Sequence, residues 1–455
     1  MIERIRPAVA PAYLFLCLLL GGSPQGVWGN AILQLLAIAI IAWALLERRE
    51  EKLARPAKQL LGIIFLAILL ILGQLVPLPV GAWAALPGRE LVVQGFELLG
   101  IAPGPMPISL SPYESLAALM ALLPPLGMLA ATLILRAYSN LWLAVALIAG
   151  AMAGVLLGIL QVSSPFPEQS PWYPYRISNF GVATGFFANS NHMANLLLVT
   201  IPFVAAAGAS LRAGTKDARA RSVGLAVVAS GLVLIILGLI LNRSLAGYGL
   251  GVPVVLASLL ILFGQSARRT AGALAAIGLA GIAAIALLWA SPIGTQLDEL
   301  GASTSVTSRR QIAANSLALA SEFAPVGSGV GTYPKLYQLK EDPAEVDRWY
   351  VNHAHNDYLE LAVETGLPGV LLILVFLFWW GIAVWRMLRS PASDQFALAG
   401  AIASAAILMH SMVDYPLRTA AIGAVFAMSL ALILQSRRSA QSEKDLRPVR
   451  HLVVG

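Results

Sequence analysis

The sequence predicts an all-α polytopic membrane protein of about twelve transmembrane helices, with one large outer loop that contains short helices. Three observations carry this. The chain of 455 residues is 58% hydrophobic and only 12% charged, with a mean hydropathy of +0.77. A soluble protein is about 25% charged, so this composition cannot coat several soluble domains, and its hydrophobicity excludes disorder. Apolar runs of roughly the 20 residues a bilayer needs recur along the whole length. The basic residues alternate in density between successive connections, as the positive-inside rule expects.

The expected spans are 8–24, 30–46, 59–76, 114–135, 140–160, 191–211, 222–241, 245–263, 270–290, 367–385, 396–413 and 419–435. The first follows Glu3, Arg4 and Arg6 and resembles a leader, but no small-residue cleavage pattern follows it, so it reads as a retained span. The single cysteine, Cys17, lies within it and provides neither a disulfide framework nor a cysteine-based zinc site. Residues 80–100 are apolar but interrupted by Pro87, Gly88, Arg89 and Glu90, the pattern of an interfacial amphipathic segment rather than a span. With a cytoplasmic N-terminus, 21 of the 30 Lys and Arg fall inside and nine outside, and both termini are cytoplasmic. The net charge of +7 is then mainly a topology signal rather than a nucleic-acid surface.

The organisation expected from this is residues 1–188 as five N-terminal spans, 189–436 as a second membrane region, and 437–455 as a basic cytoplasmic tail. The second region holds the large outer loop, 291–365, with a short helix at 309–321, a glycine-rich turn at 327–331 and a charged segment at 340–348.

Polar residues near membrane depth are costly and mark function. Here they collect on the outer side. Asn189, Asn191 and His192 open the sixth span, Arg243 occupies the tight turn Asn242-Arg243-Ser244, His410 and Asp414 share a helix face, and Arg418 follows Pro416. Arginine offers a fixed fork of donors that matches phosphate oxygens and stays charged. Arg243, Arg309 and Arg418 on one side therefore point to a phosphate-bearing ligand, with Arg310 in support. His353-Ala354-His355-Asn356-Asp357 is the second cluster. No third ligand stands at a metal spacing and no cysteine is near, so neither metal nor cofactor is expected. A histidine as general base needs no metal, and Asp357 or Asp414 would orient it. Gly327-Ser328-Gly329-Val330-Gly331 lacks the spacing and the strand–helix setting of a nucleotide loop and reads as a turn of close backbone approach.

These residues resemble the O-antigen ligase and O-antigen polymerase superfamily of bacterial inner-membrane enzymes. His355-Asn356, followed by Gly366-Leu367-Pro368-Gly369, resembles its His-Asn…Gly-x-x-Gly signature. Arg309-Arg310-Gln311-Ile312 with Pro325-Val326-Gly327-Ser328-Gly329-Val330-Gly331 is similar to an Arg-x-x-Ile…Pro-x-x-Gly-x-Gly segment, and spacing to Ile312 favours Arg309 over Arg310. Asn242-Arg243-Ser244, Asn189-Ser190-Asn191-His192-Met193-Ala194 and Asp414-Tyr415-Pro416-Leu417-Arg418 resemble three further motifs, in order. Ala313 stands where the family often has tryptophan, and Asn242 where it has a small hydroxyl residue.

The resemblance implies a GT-C-like fold and a metal- and nucleotide-independent, inverting glycosyltransferase. Its donor would be an undecaprenyl-diphosphate-linked glycan, and its acceptor either lipid A-core, for a ligase, or a lipid-linked repeat unit, for a polymerase. The partners are then those substrates and membrane lipid, without nucleic acid, and the site is periplasmic. On this reading His355 is the catalytic base, Arg243, Arg309 and Arg418 bind the diphosphate, and Arg310, Asn189, Asn191, His353, Asp357 and Asp414 support them. A transporter or flippase for an anionic lipid-linked substrate is the alternative of another class. It would carry its charges near the midplane, often with repeated halves, whereas here they gather at one face.

Overall fold

A computed structural model describes residues 2–47, 53–136, 138–214, 217–263, 272–280, 305–341, 351–390 and 394–450. The chain folds as α1 (Ile2–Leu20), α2 (Val27–Leu46), α3 (Arg55–Gln74), β1 (Pro77–Leu78), α4 (Val80–Ala84), α5 (Glu90–Leu99), β2 (Met106–Pro107), α6 (Pro112–Ala121), α7 (Leu123–Leu129), α8 (Asn140–Val162), α9 (Ser190–Gly214), α10 (Ala218–Asn242), α11 (Leu245–Phe263), α12 (Ser305–Glu322), α13 (Tyr333–Tyr337), α14 (Asp357–Leu388), α15 (Gln395–His410) and α16 (Ala420–Arg450). Residues 272–280 are also helical. Among the described residues, the two-residue strands β1 and β2, paired antiparallel, are the only sheet.

Eight helices among the described residues are long and apolar enough to cross a membrane, and Ile5–Leu20, Gln395–His410 and Ala420–Gln435 are shorter apolar helices. The chain is thus an all-α polytopic membrane protein. Most of the expected ninth span, the loop start at 291–304 and the charged segment from residue 342 lie outside the described residues.

The apolar runs become helices because a backbone in lipid must satisfy its own hydrogen bonds. Their packing differs sharply. In α9, 83% of the apolar window is buried by protein, against 17% in α10. α9 is therefore the central helix, and α8, α10, α11 and α15 pack around it. The expected fourth span is not one continuous helix. Pro124 and Pro125 interrupt it between α6 and α7, and it ends in a π-helical turn, Ala130–Leu135. There Gln435 Nε2 donates to the Thr132 carbonyl at 2.8 Å, and Tyr138 OH donates back to Gln435 Oε1 at 2.5 Å.

The large loop builds a small core of its own from Ile312, Leu319, Phe323, Tyr333, Leu336, Tyr337, Ala354 and Val363. The expected helix 309–321 is α12, extended at both ends. The glycine-rich turn is a lock rather than a loose connection. Gly327, Gly329 and Gly331 all have positive φ. A Cβ on Gly327 would fall 2.5 Å from the Glu364 carbonyl oxygen, and one on Gly329 2.4 Å from Ser109 Oγ. Gln74, at the end of α3, completes the lock. Its amide Nε2 donates to Glu364 O at 2.9 Å, and its Oε1 accepts from Val330 N at 3.2 Å.

Gly366 kinks α14 with φ 57° and ψ −152°, a conformation essentially confined to glycine. The kink presents the Leu367 amide to Pro325 O at 2.8 Å. A Cβ on Gly366 would lie 2.1 Å from that same oxygen. Gly366→Ala should therefore cost at least the roughly 1–3 kcal/mol of such backbone strain. Gly381, in the same helix with nothing within 4 Å of an added Cβ, should gain up to about 1 kcal/mol as alanine. Thermal unfolding of both variants in detergent tests the contrast, and equal melting temperatures would refute it.

Candidate active site

The site forms where the start of α9, the α10–α11 turn, residues 351–356 before α14 and the α15–α16 connection meet. Each piece is held by its own local chemistry. Asn356 caps α14: its Oδ1 accepts from the amides of Tyr358 and Leu359 at 3.0 Å each, and its Nδ2 donates to Met412 O at 3.0 Å. This cap, with the Asp357 amide donating to Ser411 O at 2.9 Å, fixes the loop 351–356 against the α15–α16 connection. Asn242 is buried and its Nδ2 donates to the carbonyls of Ala183 and Ser190, both at 2.7 Å. The departure from a small hydroxyl residue there thus clamps the α10–α11 turn to the start of α9.

Asp414 is the centre of the arrangement. It is fully buried, and its Oδ1 accepts from the Tyr415 amide at 2.8 Å. Asn191 Nδ2 donates to Oδ2 in a short hydrogen bond, and Asn189 Nδ2 reaches Oδ1 at 3.5 Å. Two imidazoles face the same Oδ1, His355 through Nδ1 at 3.5 Å and His192 through Nε2 at 3.7 Å. Burial alone would push the Asp414 carboxyl up, but the hydrogen bonds and charge of these imidazoles outweigh it and hold the carboxyl well below the usual range. Asp414 is consequently ionised at working pH. The ring of Tyr415 packs against His192, His353 and His355 together, at centroid distances of 4.8, 4.0 and 5.2 Å.

His355 is 25% exposed. With Nδ1 toward Asp414, its other ring nitrogen is the one left for a ligand. Its φ is 48°, and that of Arg243 is 56°. Positive φ is uncommon outside glycine and worth explaining. Among the described residues only Arg136 shares it, so two of three such positions coincide with the turn and loop that the sequence motifs single out. Arg243 is exposed and has no partner among the described residues. It is tied to Asp414 through one relay, because the neighbouring Ser244 Oγ donates to Asn191 Oδ1 at 2.6 Å. Arg309 on α12 is half-buried. Arg310, beside it, is exposed.

Arg418 has a different setting. Its guanidinium faces three carboxylates of α14: Asp357 Oδ1 at 3.6 Å, Glu360 Oε1 at 3.1 Å and Glu364 Oε2 at 3.1 Å. Burial would weaken the charged form, but the three carboxylates outweigh it and push the Arg418 pKa up. Each nitrogen of its fork thus faces a carboxylate within the protein. Asp357 is likewise engaged with Arg418 and with Ser411 Oγ, at 2.8 Å, so the carboxylate beside His355 is Asp414. His353 Nδ1 lies 2.8 Å from Glu360 Oε1. Burial lowers the His353 pKa although Glu360 opposes it.

The sequence reading passed over Glu360 and Glu364. Their signal was present: Asp357, Glu360 and Glu364 recur at helical spacing at the head of an apolar helix, a placement that demands a buried cation. Among the described residues no group of three or more His, Cys, Asp or Glu is arranged to hold a metal.

Removing Arg418 would strand the three carboxylates, and losing one partner of a buried ion pair typically costs about 3–5 kcal/mol. Arg418→Met should therefore sharply lower the melting temperature and the yield of folded protein, while Arg243→Ala leaves both unchanged. Size-exclusion profiles after a heat challenge separate the two, and equal profiles would overturn this division of roles.

A comparison with curated proteins gives no match. Residues 230–374, which contain Arg243, Arg309 and His355, match the family model Wzy_C, described as O-antigen ligase, and this match supports the resemblance of that segment to the O-antigen ligase and polymerase superfamily.

Proposed function

We propose that the protein is a bacterial inner-membrane glycosyltransferase that moves an undecaprenyl-diphosphate-linked glycan onto an acceptor hydroxyl at the periplasmic face, with lipid A-core as the acceptor. The observation that carries this is His355. It stands in a rare backbone conformation, with one nitrogen toward a buried carboxylate and the ring open to ligand, and the Ser244–Asn191 relay ties the Arg243 turn to the same carboxylate.

The chemistry follows from those positions. The acceptor hydroxyl oxygen attacks the anomeric carbon of the donor while His355 takes its proton. Asp414 stabilises the imidazolium that forms and holds the ring in place. The bond from the anomeric carbon to the diphosphate oxygen breaks, and the diphosphate leaves as an anion, so no general acid is required. Arg243 and Arg309 hold that diphosphate and stabilise the charge growing on it. Attack from the face opposite the leaving group inverts the anomeric centre. Asn189 and Asn191 act one step back, on Asp414, and His353 supports the loop through Glu360. Arg418 belongs to the scaffold and not to the clamp. The gathering of polar groups at one end of the bundle supports an interfacial enzyme over a transporter.

Loss of a general base costs about 10²–10⁴ in rate. His355→Ala and Arg243→Ala should each abolish detectable glycan transfer while the protein still inserts, and near-normal transfer by either variant refutes its role. Asp414→Asn should lower kcat with little change in KM for the donor. In a deletion strain, lipid A free of polymer, with long chains still on undecaprenyl diphosphate, is the expected result. Single-repeat products would instead identify a polymerase. Uptake or flipping by the purified protein without glycan product would assign the other class.

A further inference from the structure

None of the residues of α5 is buried, whereas α6, of the same length, buries Ser115. Its exposed apolar residues share one side. Leu91 is 60% exposed, Leu98 88% and Leu99 71%, and Ile101 just beyond the helix is 54% exposed. Gly95 lies between them on that side, Glu90 and Glu97 are exposed on the other, and Gln94 is exposed at the boundary. A helix with one apolar and one charged face, too short to span, fits the plane of a lipid interface.

The position of α5 favours lipid over a protein partner. It lies between the end of α3 at Gln74 and the start of α6 at Pro112, both helices of membrane-spanning character. β1 and β2 pair Pro77 with Pro107 and Leu78 with Met106, so the excursion leaves and re-enters at one point beside two spans. Exposed Leu69, Leu72 and Val76 continue the apolar surface from α3 to that point.

The root of α5 is rigid. Arg89 is fully buried. Its Nη2 donates to Ile108 O at 2.6 Å and to Gly327 O at 3.3 Å, and its Nη1 to Pro87 O at 3.3 Å. The guanidinium also lies 5.7 Å from the Trp83 ring and 5.4 Å from the Phe323 ring. Phe323 follows α12, which carries Arg309, and Gly327 belongs to the glycine-rich turn.

We propose that α5 lies flat in the outer lipid interface, with Leu91, Leu98, Leu99 and Ile101 among acyl chains, Glu90 and Glu97 in water and Gln94 at the boundary. Through Arg89, it sets the height of α12, and so of Arg309, above the membrane. The lipid seat rests only on the membrane-spanning helices. The height-setting role rests on the proposed function, since it matters only if Arg309 must meet a phosphate anchored in lipid.

The test places single spin labels at residues 91, 94, 97 and 98 of the full chain, in nanodiscs of phosphatidylethanolamine and phosphatidylglycerol; Cys17 is buried and stays unlabelled. Labels at 91 and 98 should collide severalfold more with oxygen than with a water-soluble nickel chelate, that at 97 the reverse, and that at 94, on the boundary, should fall between. Chelate access on both faces would overturn the lipid seat. So would exclusion of both probes at 91 and 98, which would indicate a protein contact such as a second copy. These readings need no activity, so they stand apart from the glycosyltransferase reading. Leu91→Glu with Leu98→Glu should raise KM for the lipid-linked donor about tenfold and leave kcat unchanged, because acyl contact is worth roughly that much per two leucines partly expelled. Normal KM would overturn the height-setting role.

Discussion

The ion cluster of Arg418 with Asp357, Glu360 and Glu364 is the constraint on which the rest of the site depends. Three carboxylates on successive turns of one helix would repel one another and resist burial unless a cation stood among them. Arg418 meets all three from the connection between α15 and α16. The start of α14 is thereby fixed against that connection, and the connection carries Asp414. Glu360 extends the network to His353 and to the amide of Ala354, at 2.8 Å each. Glu364 extends it to the amide of Gly331 at 2.8 Å. The loop that presents His355 is therefore gripped from both sides by one buried charge system.

Asp414 acts at shorter range. Asn189, just before α9, and Asn191, in its first turn, donate to it, and two histidines, from α9 and from the loop before α14, face one of its oxygens. Its geometry links elements that are far apart in sequence, and the Ser244 relay places the Arg243 turn in the same network. A cluster assembled this way sits on rigid elements rather than on a free loop. The left-handed conformations of His355 and Arg243 fit that reading, because such backbones persist only where the surroundings over-determine them.

Much of the fold was legible because lipid leaves the backbone few choices. Apolar runs had to be helices, and the expected outer polar residues do gather at one end. The interruption at Pro124 and Pro125 was visible in the sequence, but the π-helical turn after it is met by Gln435, 303 residues from Thr132 and held by the nearby Tyr138. The residues that meet at Asp414, among them His355, Asn189 and Asn191, stand out in the sequence because such types are costly in their setting. Arg418 shows where this fails. A cation on the outer side reads as an anion site until its partners are known, and those partners, Glu360 and Glu364, were hidden inside an apolar helix. Gln74 and Arg89 were illegible for another reason: they bind backbone carbonyls and amides, which carry no sequence signature.

The glycine-rich turn has a consequence for how the chain can be divided. Its seat is made by Gln74, Ser109 and Ser115, and Arg89 closes it from above. All four belong to the first 188 residues, whereas the turn lies inside the segment shared with the family. The division at residue 188 is therefore one of resemblance and not of mechanics. Drift in the N-terminal helices is limited by a backbone surface they must keep matching. A chimera joined at that point would inherit a turn from one parent and its seat from another, and the misfit would be transmitted through Glu364 to the cluster beneath His355.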